Sequence, residues 1–174
     1  MEYLLIEDPT APELSFVQEL YLSAFPEEER RDWNKLAVMI GKVPEMRLEL
    51  ITDEGKAIGL IISWAILDWC FIEHFAIDPA KRGKRYGERV IKDFMQRGKV
   101  LLEVEPPVAE DAVRRVGFYE RAGMNVLPFQ YRHPSYRKAG VFFPMLLMSN
   151  IQENDIELFS PVIKLIELHV YKLI

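Results

Sequence analysis

The chain has 174 residues, of which 49% are hydrophobic and 28% charged, with a formal net charge of −5 at pH 7. These values fit one globular domain with a sizeable core. No uncharged apolar stretch approaches the roughly 18–20 residues that a membrane span requires, and the N-terminus has no basic segment typical of a signal peptide. A single cysteine, Cys70, excludes an intramolecular disulfide and fits a reducing cytosol, so we expect a cytoplasmic protein without a membrane partner.

Apolar periodicity predicts strands and helices in the order β-α-α-β-β-β-α-β-α-β-β. The predicted strands cover residues 3–7, 47–52, 57–66, 71–77, 100–105, 124–131 and 141–148. The predicted helices cover residues 13–25, 27 or 28 to 40, 87–96 and 111–122. This order predicts a mixed α/β domain with helices on both faces of one sheet.

The segment between the strand at 71–77 and the helix at 87–96 carries the clearest functional signal. Asp78-Pro79 ends the strand, and the loop that follows contains two glycines and four cations within residues 81–87. A basic, glycine-bearing loop that leads into a helix N-terminus predicts a site for a phosphorylated ligand, because unpaired N–H groups and the helix dipole point at it. A local positive island on an acidic protein suits a small anion better than nucleic acid, so we expect no nucleic-acid partner.

The same segment resembles the acetyl-CoA pyrophosphate motif, Arg/Gln-x-x-Gly-x-Gly/Ala, of the GNAT superfamily of N-acetyltransferases. VLLEVEPP resembles the strand that follows in that superfamily, and VGFYERAGM at 116–124 resembles the phenylalanine-tyrosine…glycine helix that closes the cofactor site. The resemblance extends over residues 1 to about 148 in element order. It implies a central, mostly antiparallel sheet flanked by helices, with acetyl-CoA as co-substrate and no metal.

Two departures from the family pattern concern the cofactor and acceptor sites. The resemblance implies cofactor contacts from Phe75, Ala76, Ile77, Arg82, Gly83, Lys84, Arg85, Tyr86, Gly87 and Glu88. The motif's first glycine is Arg85 in this chain, which fits only if arginine adopts the conformation of the loop. The asparagine that many members carry after the fifth strand is replaced by Glu105-Pro106-Pro107.

Three residues are candidates for catalysis. Tyr119 matches the superfamily tyrosine that protonates the leaving thiolate, the alternative being a packed tyrosine with its hydroxyl at the surface. Glu73 and Glu103 compete as the base, because each carboxylate lies inside an apolar strand; an ion pair with arginine is the alternative for both. Period-2 alternation predicts Glu73 on the same face as Phe75 and Ile77, whose amides the resemblance assigns to polarising the thioester.

Other reactive side chains lack the partners that a site requires. Cys70 is disfavoured as an acyl nucleophile, since no histidine–aspartate pair accompanies it in sequence. His74, His133 and His169 are too scattered for a metal site, and we expect no metal. The acceptor side is expected from residues 25–33, which are acidic, and from residues 131–138, which are basic and aromatic.

These features predict an N-acetyltransferase that moves the acetyl group of acetyl-CoA to a primary amine of a small molecule or peptide, by direct attack in a ternary complex. The alternative is a catalytically weak acyl-CoA-binding sensor or interaction module on the same fold, which Arg85 in place of glycine favours.

Residues 1–149 are predicted to form the acetyltransferase domain and residues 150–174 a C-terminal extension. Ser160-Pro161 is a suitable N-cap and N1 pair, so the helix of the extension is expected to begin there. Nine of residues 162–174 are apolar, so this helix must pack on its own domain or form a homodimer.

Overall fold

The computed structural model describes residues 1–171 of the chain, in which eight strands pair into one continuous arrangement. The strands are β1 (Glu2–Leu5), β2 (Met46–Asp53), β3 (Lys56–Ile66), β4 (Trp69–Ile77), β5 (Lys99–Val104), β6 (Asn125–Val126), β7 (Tyr131–Pro134) and β8 (Phe142–Ser149). Their order is β1-β2-β3-β4-β5-β8-β6, with β7 paired to the first half of β8. The β4–β5 pair is parallel, whereas the other pairs of these strands are antiparallel.

Helices cover both faces of this sheet. The α-helices are α1 (Leu14–Ala24), α2 (Trp33–Met39), α3 (Tyr86–Arg97), α4 (Glu110–Ala122) and α5 (Ile156–Leu165), and a π-helix (Ile166–Tyr171) continues α5. One buried cluster joins α1, α2 and α5 to the sheet, and a second joins α3 and α4 to the opposite face. The predicted architecture, a mostly antiparallel sheet flanked by helices, is confirmed.

The predicted helix from residue 27 or 28 to residue 40 is wrong. A 3-10 helix (Glu27–Glu29) is followed by extended backbone at Arg30, and α2 begins only after Asp32. The Asp32 carboxylate accepts a hydrogen bond from the Asn34 N–H at 2.9 Å, which caps the new helix. The break allows Arg31, whose side chain is buried, to reach into the protein between the two helices.

The predicted strand at 124–131 is also wrong. It is divided into β6 and β7, because Pro128 lies in the middle and cannot donate a hydrogen bond to a strand ladder. The division lets β7 pair with the first half of β8, outside the main strand order.

The C-terminal helix begins four residues earlier than Ser160-Pro161, at Ile156, where the Asp155 side chain accepts the Glu157 N–H at 2.9 Å. Phe159 is completely buried, so the apolar face of the helix starts before Ser160, and Pro161 lies inside the helix. Residues 172–174 of the predicted helix lie outside the described residues. Within residues 1–171, no helix is long and apolar enough to cross a membrane.

The extension packs on its own domain. Phe159, Val162, Ile166 and Val170 are fully buried in the cluster that also contains residues of α1 and α2. A homodimer and the exact boundary at residue 149 stay predictions.

Phe159→Ala should therefore lower the free energy of unfolding by about 3–5 kcal/mol, because it removes a fully buried ring from the domain core. Leu168→Ala, on the exposed side of the same segment at 48% exposure, should change it by no more than about 0.5 kcal/mol. Urea denaturation of both variants measures the difference. Equal effects would mean that the extension does not stabilise the domain through this face.

Candidate active site

The site is built where β4 and β5 separate. These strands pair only from Trp69 opposite Lys99 to Ile72 opposite Leu102. Beyond this point β4 stays paired with β3, and β5 stays paired with β8, so a gap opens between them. Glu73 and Glu103 are the first residues after the last pair, and both carboxylates lie at the opening.

A β-bulge at Glu73 changes the direction of its side chain. His74 pairs with Ile62 of β3, but Ile72 pairs with the next residue, Ser63, so Glu73 has no partner across the ladder. Phe75 and Ile77 belong to the buried cluster of α3 and α4, whereas the Glu73 side chain accepts a hydrogen bond from a residue of the opposite cluster. The prediction that Glu73 shares a face with Phe75 and Ile77 is wrong, because the extra residue resets the alternation.

The backbone of β4 presents unpaired donors to the gap. The Asp78 N–H bonds to the Ile58 carbonyl of β3 at 2.9 Å. Because successive N–H groups along a strand point in opposite directions, those of Phe75 and Ile77 point away from β3, towards the side that β5 has left.

A cavity of about 470 Å³ passes through this gap and is lined from both faces of the sheet. Phe75, Ala76, Ile77 and Arg82 line it together with Phe118 and Tyr119 of α4. Its other end is aromatic and acidic and is lined by Phe25, Glu28, Glu29, His74, His133, Tyr136, Phe143 and Tyr171. Segments 25–33 and 131–138 both contribute to this end.

The loop before α3 leaves the helix N-terminus without a cap. No side chain of residues 1–171 accepts from the first N–H groups of α3, so those of Tyr86, Gly87 and Glu88 remain available to a ligand. Arg85 adopts the left-handed conformation with φ of 59°, which is the conformation that the family's glycine would adopt easily. Gly83 also has a positive φ, of 82°.

Two side chains hold this loop in place. Arg82 donates from Nε to the Ile77 carbonyl at 3.3 Å, and Tyr86 donates its hydroxyl to Asp53 at 2.8 Å. A Cβ on Gly87 would lie 3.1 Å from the Phe118 ring, so a larger residue there would require the ring to shift by a few tenths of an ångström. The free N–H groups at the start of α3 and the basic loop, which includes Lys84, fit a pyrophosphate. The Glu88 side chain forms an ion pair with Lys92 at 2.6 Å.

Glu73 lies in a closed network. Arg31 approaches its Oε1 with both Nε and Nη2 at 3.0 Å, the Tyr136 hydroxyl donates to the same oxygen at 2.7 Å, and Trp64 donates to Oε2 at 2.6 Å. Burial by itself would raise the pKa of Glu73, but the Arg31 guanidinium, with weaker contributions from its other neighbours, lowers it below the ordinary value. The ion pair with an arginine, which was the alternative to a role of Glu73 as catalytic base, is therefore present.

Glu103 has a different set of neighbours. Oε1 accepts the hydroxyls of Tyr131 at 2.5 Å and Tyr171 at 2.7 Å, and Oε2 lies 2.8 Å from Nδ1 of His133. Burial, with the Glu103 charge, raises the pKa of both tyrosines above the ordinary range, so both hydroxyls stay protonated and donate.

Tyr119 is buried on α4 and lines the cavity at its cofactor end. Burial raises the pKa of its hydroxyl to about 12, although nearby Arg115 opposes the shift. The phenol therefore keeps its proton at neutral pH. Arg115 forms an ion pair with Glu105, which lies in the region where many members of the family carry an asparagine.

The sequence analysis gave no individual role to four residues of this site: Arg31, His133, Tyr136 and Tyr171. It expected the segments 25–33 and 131–138, which contain the first three, on the acceptor side, whereas Tyr171 was hidden in the extension. Burial lowers the pKa of His74, whose Nε2 lies 3.1 Å from the Glu29 carbonyl. Cys70 lies outside this cavity, and burial raises the pKa of its thiol to about 11.

No group of side chains among residues 1–171 has the arrangement of a metal site.

Comparisons with known proteins agree with this geometry. The sequence profile of the Acetyltransferase (GNAT) family matches residues 14–124, more than half of the chain. An acetyltransferase assigned to the GNAT family from Bacteroides thetaiotaomicron has a solved structure with 29% identity and a TM-score of 0.91, and the match covers 98% of each chain. This match therefore includes most of the C-terminal extension.

Two more distant structures share the fold. The ribosomal-protein-S18-alanine N-acetyltransferase from Escherichia coli is 19% identical, with a TM-score of 0.57 over 85% of this chain and 91% of that one. An aminoglycoside acetyltransferase in complex with coenzyme A and kanamycin is 15% identical, with a TM-score of 0.61 over 87% and 95%. A search of curated protein sequences found no match.

Glu73→Gln should destabilise the protein by about 3–5 kcal/mol, because it leaves the Arg31 guanidinium buried without its counter-charge. Glu27→Gln is the control, since it breaks an exposed pair with Arg137 and should cost at most about 1 kcal/mol. Chemical denaturation near neutral pH measures both.

The pH dependence provides a second measurement of the same pair. Because the folded pKa of Glu73 is lowered, its stabilisation is present above the unfolded value of about 4.3 and is lost as the pH falls through the folded pKa. The stability difference between wild type and Glu73→Gln should shrink over this acidic range. A difference independent of pH would contradict the ion pair.

Proposed function

Since the chain belongs to the GNAT family of acetyltransferases, we propose that it moves the acetyl group of acetyl-CoA to the primary amine of a small molecule or peptide. The observation that carries this proposal is the cavity that crosses the sheet between β4 and β5. At one end it is lined by Arg82 of the basic loop, and at the other end it opens into an aromatic chamber suited to an acceptor. Direct attack in a ternary complex requires such a passage, because both substrates must meet within it.

The cofactor contacts are those of the loop and of β4. Backbone N–H groups at Tyr86, Gly87 and Glu88 would bind the pyrophosphate, with the cations of residues 81–85 around it. Acetyl-CoA supplies the activated thioester when bound, and no metal is required. The N–H groups of Phe75 and Ile77 face the gap, where they would stabilise negative charge on the thioester oxygen.

Three side chains have distinct roles in this proposal. Tyr119 donates a proton to the leaving thiolate, since this residue lines the cavity and its hydroxyl is protonated at neutral pH. Glu103 lies on the acceptor side, and its carboxylate takes part in removing the proton from the amine. Glu73 has a structural role instead, because four hydrogen-bonding contacts from Arg31, Tyr136 and Trp64 already occupy its carboxylate.

The acceptor chamber favours a cationic amine. Glu29 is half-buried on the cavity wall, and burial together with nearby Glu105 raises the pKa of its carboxyl. A positively charged amine relieves both effects, because it supplies a counter-charge to a partly desolvated carboxylate. Exposed Glu28 lies beside it at the cavity wall and adds to the attraction.

The alternative of a catalytically weak sensor depended on Arg85. Its left-handed conformation leaves the N-terminus of α3 open, as glycine would, so this substitution gives no reason to prefer a sensor over an enzyme. A cytoplasmic location is part of the proposal and is supported by the single, reduced cysteine.

Gly87→Pro should weaken coenzyme A binding by about 10- to 100-fold, because it removes one charge-assisted hydrogen bond to the pyrophosphate. Proline is tolerated in the first turn of a helix, so α3 should still form. Gly87→Ala is the matched control: its Cβ makes the same 3.1 Å approach to Phe118, but the N–H is retained. Calorimetry compares the three proteins, and equal loss in both variants would assign the effect to Phe118 instead of the donor.

Tyr119→Phe should lower kcat by about 10²- to 10⁴-fold and leave coenzyme A affinity nearly unchanged, because the ring still packs and only the proton donor is lost. Tyr3→Phe removes the same atom from a hydroxyl that bonds to Asp93 outside the cavity, and it should keep full activity. Single-turnover release of thiol measures the chemical step. An unchanged rate in Tyr119→Phe would mean that Tyr119 contributes to packing and is not the proton donor.

A further inference from the structure

His133 forms a pair with Glu103 at the acceptor end of the cavity. Its Nδ1 lies 2.8 Å from Glu103 Oε2, and its side chain is only 8% exposed. Nε2 is buried and has no hydrogen-bond partner within residues 1–171. A buried nitrogen without a partner is costly, so a hydrogen-bonding group of a ligand would be stabilised there.

The surroundings of Glu103 determine which nitrogen carries the proton. Tyr131 and Tyr171 both donate to Oε1, so Oε2 is left to accept from His133. A carboxylate accepts and cannot donate, so Nδ1 of the neutral ring must be the N–H. The lone pair then lies on Nε2, as in a histidine base that is oriented by a carboxylate.

The other titratable groups around the ring come from four further elements. Tyr171 and Tyr136 have ring centroids 4.6 and 5.0 Å from that of His133, and His74 and Glu29 act on it electrostatically. Both tyrosines have pKa values raised by burial and stay neutral, and burial lowers the pKa of His74. Glu103 is therefore the one charged group in hydrogen-bonding contact with the ring among the described residues.

We propose that Nε2 of His133 is the general base for the acceptor amine and that Glu103 is its positioning residue, an inference that rests on the proposed function. The ammonium form of the acceptor first loses one proton to solvent; the neutral amine nitrogen then forms a bond to the acetyl carbon and passes a second proton to Nε2. The carbon–sulfur bond breaks, and its electron pair leaves on sulfur, which takes the Tyr119 proton. Solvent then returns a proton from the imidazolium to the phenolate, so the protein is restored.

Nε2 is buried, but the His133 side chain lines the cavity that would hold the acceptor. Catalytic hydrogen bonds commonly form only once the substrate is bound.

The pH–rate profile tests the base. A base must be deprotonated to act, so wild-type kcat/KM should fall on the acidic side of one midpoint. His133→Asn should lower kcat/KM by about 10²-fold or more and abolish this acidic limb. Glu103→Gln should keep the acidic limb, because the imidazole is still present, and should lower kcat, because Nδ1 loses the carboxylate that orients the ring. Since Glu103 acts through His133, adding Glu103→Gln to His133→Asn should cause little further loss, whereas a separate structural role for Glu103 would make the two losses additive.

Two control variants separate the histidines. His169→Asn makes the same change at an exposed position of the π-helix and should leave the profile unchanged. His74→Asn tests the other buried histidine of the cavity and should keep the acidic limb. Loss of the limb in His74→Asn, or its retention in His133→Asn, overturns the assignment.

Nitrogen NMR of the wild-type imidazoles supplies a readout that needs no turnover. We expect the His133 signal, assigned by through-bond correlation to its own backbone, to show a protonated Nδ1 and an unprotonated Nε2 near neutral pH. The opposite tautomer would overturn the proposal even if a variant failed to fold. If wild type releases no thiol with any amine, the proposed function fails, while this spectrum still decides whether the Glu103–His133 pair exists.

Discussion

The buried ion pair between Arg31 and Glu73 is the interaction on which the active site depends. Arg31 contacts Glu73 through Nε and Nη2, donates to the Val170 carbonyl of the π-helix, and donates its backbone N–H to the Tyr21 hydroxyl. One residue therefore connects α1, β4 and the C-terminal segment. Burial would lower the pKa of Arg31, but the Glu73 charge raises it, so both partners remain ionised. The added hydrogen bonds offset the desolvation that such a pair requires.

The position of this pair explains why the cavity has two unlike ends. The bulge directs Glu73 towards the face of α1 and α5, while Phe75 and Ile77 stay on the face of α3 and α4. The separation of β4 from β5 then joins the two faces through one opening. A phosphorylated cofactor is suited to the uncapped end of α3, and an amine to the aromatic, acidic end closed by the extension.

Much of the fold followed from local patterns. The strand–loop–helix around residues 71–96 was predictable because its strand end, glycines and helix face are encoded within one short segment, and Tyr119 lies in a helix with a glycine stop at Gly123. The errors came from competing local signals. Residues 27–40 are periodic enough for one helix, but the Asp32 cap and the buried position of Arg31 divide them. Ser160-Pro161 had the right residue types for a helix start, but Asp155 caps the chain earlier.

The sequence by itself determined the order of most elements, the family resemblance and the position of the basic loop. It also determined that Glu73 and Glu103 are the two candidates for the catalytic base. Only the tertiary structure decided which partners each carboxylate has, because those partners lie far away in the chain. Glu73 meets Arg31 across 42 positions, and Glu103 meets His133 across 30 and Tyr171 across 68. Periodicity reports which face of a strand a residue occupies, but it does not report a bulge or the distant groups that supply a charge or a hydrogen bond.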